Sequence, residues 1–289
     1  MVNKPYQTIQ VTPQSPTLGA VIGGVDIAAG VSDAQFSDIH QAFVDYGVIF
    51  FRDQNLTPNQ HIAFAKRWGS INVNRFFKAV DGYPDIAELR KEAHQTANVG
   101  SRWHTDHSYD QIPAMGSILY AHEIPSVGGD TLFASMYAAY EHLSPGLKQM
   151  LSQTNALHSS RHVFGEAGYS DVDVADIDGR LGNAQAATQD AIHPVVIRHP
   201  LSGRPALYVN GTFTLKFDGW TQAESQPLLD YLYAHASQNE FTCRFRWQKG
   251  SMAIWDNRAT HHCALNDYHG ELRLLHRITI DGEALSAAG

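Results

Sequence analysis

Phe241-Thr242-Cys243-Arg244-Phe245-Arg246-Trp247 places an apolar side chain at every second position. A period of two is the signature of a strand with one face in a core and the other toward water. The same grammar recurs on both sides of this stretch. It predicts strands at 20–27, 48–51, 117–124, 130–133, 192–198, 206–209, 252–255 and 272–280. Helices are fewer and well punctuated. Ser32-Asp33-Ala34-Gln35 is a capping box, followed by Phe36, Ile39, Phe43 and Val44 on one helical stripe. Thr57-Pro58-Asn59-Gln60 is a second box with proline at the first helical position, opening a helix that should stop at Gly69. Ser144-Pro145 and Thr221-Gln222-Ala223-Glu224 start two more. Strands outnumber helices and do not alternate with them regularly, which argues against a doubly wound parallel sheet. A mainly β fold with flanking helices, a β-sandwich or jelly roll, fits better.

The 289 residues carry no internal repeat and no Pro-, Gly- or Ser-rich linker, so a single domain spanning 1–289 is expected. Residues 166–190 differ: acidic, with little apolar mass, they read as a surface insertion or lid. The spacing around Asp176-Ile177-Asp178-Gly179 fails as a calcium loop, because Val174 and Gln185 occupy the first and twelfth positions, which need carboxylates. A formal net charge of −8 speaks against nucleic-acid binding, so any anion site must be a local basic cluster. Two cysteines, Cys243 and Cys263, make neither a disulfide framework nor a thiolate metal site. No apolar stretch is long enough to span a membrane, and a cytoplasmic protein is expected.

The chemistry sits in two separated segments. In His104-Thr105-Asp106, residues i and i+2 of an extended chain point the same way, so His104 and Asp106 can face one metal while Thr105 faces away. Among 16 histidines a lone His-x-Asp is a weak signal, and a packed surface loop explains it as well. The second segment runs from Ala253-Ile254-Trp255-Asp256-Asn257-Arg258 to His261, His262, Arg273 and Arg277. Two imidazoles and a carboxylate are the facial triad of non-haem Fe(II) oxygenases. Adjacent histidines on a strand point to opposite faces, so one of His261 and His262 can join it, and the residues alone do not choose. Arg273 and Arg277 share a strand face flanked by apolar residues. Buried guanidiniums there require anions.

These motifs together resemble the taurine dioxygenase and aryloxyalkanoate dioxygenase family of Fe(II)/2-oxoglutarate-dependent oxygenases. The resemblance runs from about Ile22 to Asp281. It is carried by Val48-Ile49-Phe50-Phe51-Arg52-Asp53-Gln54, Trp103-His104-Thr105-Asp106, Gly128-Gly129-Asp130-Thr131, and Ile254-Trp255-Asp256-Asn257-Arg258 through His262 and Arg273. It implies a double-stranded β-helix, or jelly roll. It also implies Fe(II) on His104, Asp106 and His262, the last chosen over His261 by its spacing to Arg273. Arg273, with the Thr131 hydroxyl, would hold the distal carboxylate of 2-oxoglutarate, and Arg277 would lie near a substrate anion. O2 would be consumed, with succinate and carbon dioxide released and the substrate hydroxylated. A carboxylate at Asp106 disfavours halogenation.

Local similarity in Leu89-Arg90-Lys91-Glu92-Ala93, Ser135-Met136-Tyr137 and Phe241-Thr242-Cys243-Arg244 leans toward the aryloxypropionate branch. Asn74, Phe77 and Gly100 stand where taurine dioxygenase has the histidine, tyrosine and asparagine that hold taurine. Phe76, Phe77, Tyr109 and Phe213 are expected to wall an aromatic pocket. The expected substrate is a small anionic, aromatic or hydrophobic molecule, aryloxyalkanoate-like, with C–O cleavage following hydroxylation. A sulfonate or alkyl sulfate is the alternative. A non-catalytic jelly-roll binding protein and a zinc hydrolase are the rivals from other classes. A homo-oligomer is expected from the family.

Overall fold

The computed structural model describes residues 6–166 and 180–289. Two layers of strands face each other. The larger sheet runs in the order Gln10–Pro13, Ala20–Gly23, Val48–Phe51, Met252–Asp256, Gly116–Glu123, Arg273–Ile280, Tyr83–Lys91 and Ala79–Val80. Ile71–Asn72 adds a ninth strand by pairing with Arg273–Ile280. The smaller sheet has Thr131–Ser135 between Thr242–Phe245 and Thr260–Ala264. Both are antiparallel at their centres, and the molecule has the mainly β jelly-roll architecture that the sequence led us to expect.

The two faces of the large sheet explain its sequence. Val48-Ile49-Phe50-Phe51 is apolar throughout because both faces of that strand are covered. Val48 and Phe50 point between the sheets, where Phe133, Phe245, Trp247, Ala253 and Trp255 join them. Phe50 and Phe245 stack at 4.0 Å. Ile49 and Phe51 point the other way, beneath the helices Asp33–Tyr46 and Pro58–Lys66. Both predicted capping boxes form, with Ser32 and Thr57 accepting from the backbone N–H groups of Gln35 and Gln60. The alternating stretch around Phe245 is the edge strand Thr242–Phe245; Cys243 and Phe245 are buried and Arg244 is exposed.

Several elements differ from the sequence reading, among them the strands Gln10–Pro13, Asn155–Ser159 and Thr214–Phe217, which it did not include. The predicted strand 192–198 is two strands, Asp190–Pro194 and Val196–Arg198, in different small sheets. Pro194 has no N–H to continue a ladder, and the chain changes sheets there. Tyr83–Lys91, the longest strand, was not expected, because Pro84 and its charged residues hide a half-buried face. Thr260–Ala264 was also missed. Five residues rich in polar side chains do not read as a strand, yet it lies within the smaller sheet's pairing and four of the five are buried. Residues 167–179, the interior of the expected insertion, lie outside the described residues. No helix among the described residues is long and apolar enough to cross a membrane.

Candidate active site

Backbone pairing brings the two histidine segments together. His104 N–H donates to the His262 carbonyl at 3.1 Å, and His262 N–H to the His104 carbonyl at 2.8 Å, forming an isolated bridge. The partnership of Thr260–Ala264 with Thr131–Ser135 fixes which histidine turns inward, with His262 opposite Phe133. The two rings sit with centroids 4.1 Å apart. Asp106 reaches the same point from two residues beyond His104, while the Thr105 hydroxyl turns away and donates to the Asn257 carbonyl. Among the described residues, His104, Asp106 and His262 are the group able to hold a metal ion, with all ligand atoms within 4.8 Å of one another.

Charge and hydrogen bonding suit these atoms to a metal ion. His104 Nε2 lies 3.8 Å from Asp106 Oδ1, and His262 Nε2 lies 4.0 Å from Asp106 Oδ2. Those separations are too long for hydrogen bonds. They fit donors facing one ion, since two ligands at about 2.1 Å from a metal can stand up to about 4.2 Å apart. The His104 Nδ1–H donates to the Arg102 carbonyl at 2.7 Å, leaving a lone pair on Nε2. Burial pushes both imidazoles toward the neutral form that binds metals, against the pull of Asp106. Burial alone would raise the Asp106 carboxyl. The Arg277 guanidinium, with His262 and His104, outweighs it and holds the group well below the usual carboxylate range. Arg277 Nη1 contacts the two carboxylate oxygens at 3.3 and 3.2 Å, and the Ser117 hydroxyl donates to Oδ2 at 3.1 Å.

Beside this cluster, Arg273 is buried and makes no ion pair among the described residues. Its Nε–H donates to the Gly129 carbonyl at 3.1 Å. Gly129 has φ +68, and a Cβ there would come within 3.3 Å of Arg273 Cδ, so this turn needs glycine to let the side chain past. The Thr131 hydroxyl accepts from the Trp247 indole N–H at 2.9 Å. Lys91 Nζ lies 4.1 Å above the Tyr268 ring. A guanidinium whose burial is uncompensated, beside a hydroxyl, suits a carboxylate.

The cluster opens into a cavity of about 490 Å³. One wall is aromatic: Phe77, Tyr109, Phe164 and Phe213, with Val163 and Leu181. Phe213 meets His104 edge-on at 6.2 Å, and Arg277 lies 4.7 Å over Phe77. The rest is basic for an acidic protein, with Arg90, Lys91, Arg102, Arg180, Arg273 and Arg277 against Glu88 and Asp106. Of the residues expected from the sequence, all but Phe76 line this one cavity: Asn74, Phe77, His104, Asp106, Tyr109, Thr131, Phe213, His262, Arg273 and Arg277. Asn74 does so with its carbonyl already engaged, accepting from the N–H groups of Phe76 and Phe77. Phe76 is not on the surface of the cavity; it stacks on Phe164 behind it at 4.3 Å.

Sequence reasoning missed several neighbours. Phe164 ends a four-residue helix with no side-chain cap, and Leu181 lies within the expected insertion. His107 also lines the cavity. It has φ +61, unusual for a residue with a Cβ, and its Nδ1–H donates to Asp110 at 2.9 Å. A second histidine beside the His-x-Asp motif was a visible signal that pattern alone could not interpret. His261, on the opposite face from His262, is buried with Nε2 unpartnered.

Comparison with known proteins covers almost the whole chain. Residues 10–279 match the family model described as taurine catabolism dioxygenase TauD, TfdA family. An alkylsulfatase of Acinetobacter baylyi is 35% identical, over 99% of this chain and 89% of its own. An (S)-phenoxypropionate/alpha-ketoglutarate-dioxygenase of Delftia acidovorans is 32% identical, over 89% of each. The crystal structure of AAD-2 in complex with Mn(II) and N-oxalylglycine superposes with a TM-score of 0.78, at 26% identity, over 96% of this chain and 98% of that one.

Proposed function

This chain belongs to the TauD/TfdA family and is a dioxygenase dependent on Fe(II), 2-oxoglutarate and O2, and from that premise we propose that it hydroxylates a small organic anion with an apolar body. The observation that carries the substrate class is the cavity itself. One wall is aromatic, and the others concentrate basic side chains in a protein whose formal net charge is −8.

The proposed roles follow the geometry. His104, Asp106 and His262 hold Fe(II) through Nε2, a carboxylate oxygen and Nε2. Bound there, iron supplies the redox and oxygen chemistry that no side chain provides. Arg273 and Thr131 receive the distal carboxylate of 2-oxoglutarate. Arg277 has two tasks. Its Nη1 keeps Asp106 ionised, and its Nε, buried without a partner, is left for the acid group of the prime substrate. Phe77, Tyr109 and Phe213 enclose the apolar body and keep water from the reacting carbon. Asn74 contributes by shaping the turn that presents Phe77.

We take an aryloxyalkanoate-like acid as the first substrate reading, with hydroxylation next to the ether oxygen giving a hemiacetal that breaks the C–O bond. An alkyl sulfate is the second, supported by the alkylsulfatase relative that spans 99% of this chain. Both place an anion near Arg277 and a carbon bearing oxygen near the metal. The deciding experiment is succinate release by Fe(II)-loaded protein with 2-oxoglutarate, across aryloxyalkanoates, alkyl sulfates and sulfonates. Stimulation by aryloxyalkanoates supports the first reading and stimulation by alkyl sulfates the second. Succinate release that no small anion raises refutes both.

A further inference from the structure

We propose that Trp247 is a positioning residue for the co-substrate, because its indole N–H fixes which way the Thr131 hydroxyl can donate. The inference rests on the reading of Thr131 and Arg273 as the clamp for 2-oxoglutarate, and it adds a residue to that clamp.

A hydroxyl has one proton and two lone pairs, and an indole N–H can only donate. Trp247 Nε1 lies 2.9 Å from Thr131 Oγ1, with both side chains buried. One lone pair of Thr131 is therefore spent. Its proton has no acceptor among the described residues, where the bond from Trp247 is the one that hydroxyl makes. Thr131 lines the cavity, so the proton remains for whatever enters. A donated hydrogen bond also polarises the hydroxyl and strengthens it as a donor.

The same indole braces the second arm. The Arg273 guanidinium carbon lies 6.0 Å from the Trp247 ring centroid and 5.9 Å from that of Tyr268, so two rings flank it. Gly129, whose carbonyl holds Arg273 Nε, is two residues from Thr131. Trp247 thus stands behind both groups that would meet the carboxylate. Without the indole N–H, the Thr131 hydroxyl is free to turn and accept from Arg273 or water. It would then present a lone pair to the incoming anion.

Anaerobic calorimetric titration of 2-oxoglutarate into the Fe(II)-loaded protein tests this directly, without turnover. Trp247→Phe keeps the packing and removes the N–H, and should weaken binding about tenfold, the cost of one hydrogen bond to a charged group. Thr131→Val should weaken it similarly, and Thr131→Ser should bind as the wild type. The Trp247→Phe/Thr131→Val double variant should be no weaker than Thr131→Val, since the indole then has no hydroxyl to orient. Binding by Trp247→Phe within twofold of wild type, or a double variant at the product of the two losses, would overturn the role of Trp247 and leave the clamp standing. Normal binding by Thr131→Val would overturn both. If Trp247→Phe fails to fold, β-(3-benzothienyl)alanine at position 247 supplies an isostere without the N–H, judged by the same limits.

Discussion

His262 and Arg277 hang from strand ladders, and one isolated bridge ties His104 to the first of them, whereas Phe77 and Leu181, on the apolar wall of the same cavity, meet in a bridge with no ladder on either side and Phe164 ends a one-turn helix. On the ladder side each backbone position is held by hydrogen bonds to a partner strand, and a 2.8 Å bond from His262 N–H holds His104 beside it. The loop side sets only a shape. Chemistry that shares one ion among three side chains needs the first kind of support. Recognition of an apolar body tolerates the second, and short segments can change it without disturbing the sheets. On the roles proposed above, the type of reaction would be written in the strands and the choice of substrate in the loops.

Substitutions should divide along this line. The largest effect is expected on the ladder side, where His104→Ala or Asp106→Ala should reduce succinate formation to background. Normal turnover in either variant would remove the metal assignment. Next, Arg273→Ala should raise the KM for 2-oxoglutarate on the order of 100-fold, through loss of a charge-assisted, two-pronged contact. Arg277→Ala should instead raise the KM for the prime substrate, by about tenfold on the same scale, with that for 2-oxoglutarate little changed. If the two arginine variants behaved alike, the division of their roles would be wrong. On the loop side, Leu181→Ala should change the prime-substrate KM roughly threefold, as expected for loss of partly buried apolar contact, and leave 2-oxoglutarate binding untouched. A hundredfold effect there would erase the contrast.

The far face of the large sheet sharpens it from another direction. Burial pushes His276 down to about 4, helped by His122, and His61 down to about 3, helped by His276 and His122. Unfolded, each titrates near 6.5. Their folded values lie below the unfolded ones, so stability is intact above pH 6.5 and declines as pH falls toward about 4. The melting temperature of the protein should drop across that window, and His276→Asn should flatten the fall. An unchanged slope in that variant would show that other groups drive acid unfolding.

Much of the ladder side was legible before folding. Period-two alternation located Phe245, capping boxes located both helices under the sheet, and the triad residue types stood in plain view. Choosing His262 over His261 needed more than periodicity, because neighbouring residues on a strand are equivalent until a partner strand fixes their facing. That partner is Phe133, over 120 positions away. Arg102, Arg180 and Phe164 were not legible because each reaches the cavity from a segment with no repeating pattern. Trp247 read simply as the last apolar position of a strand. Its indole N–H gains meaning only beside Thr131.

The paired backbone bonds between His104 and His262 carry one more consequence. They make the spacing of those two backbone positions a property of main-chain pairing rather than of side-chain packing. A designer could randomise the side chains of residues 97–99 or 269–272, which lie outside the backbone contacts that hold His104 and the Gly129 turn, and let selection act on substrate scope. The rung would keep the two histidine backbones side by side in every surviving member of such a library.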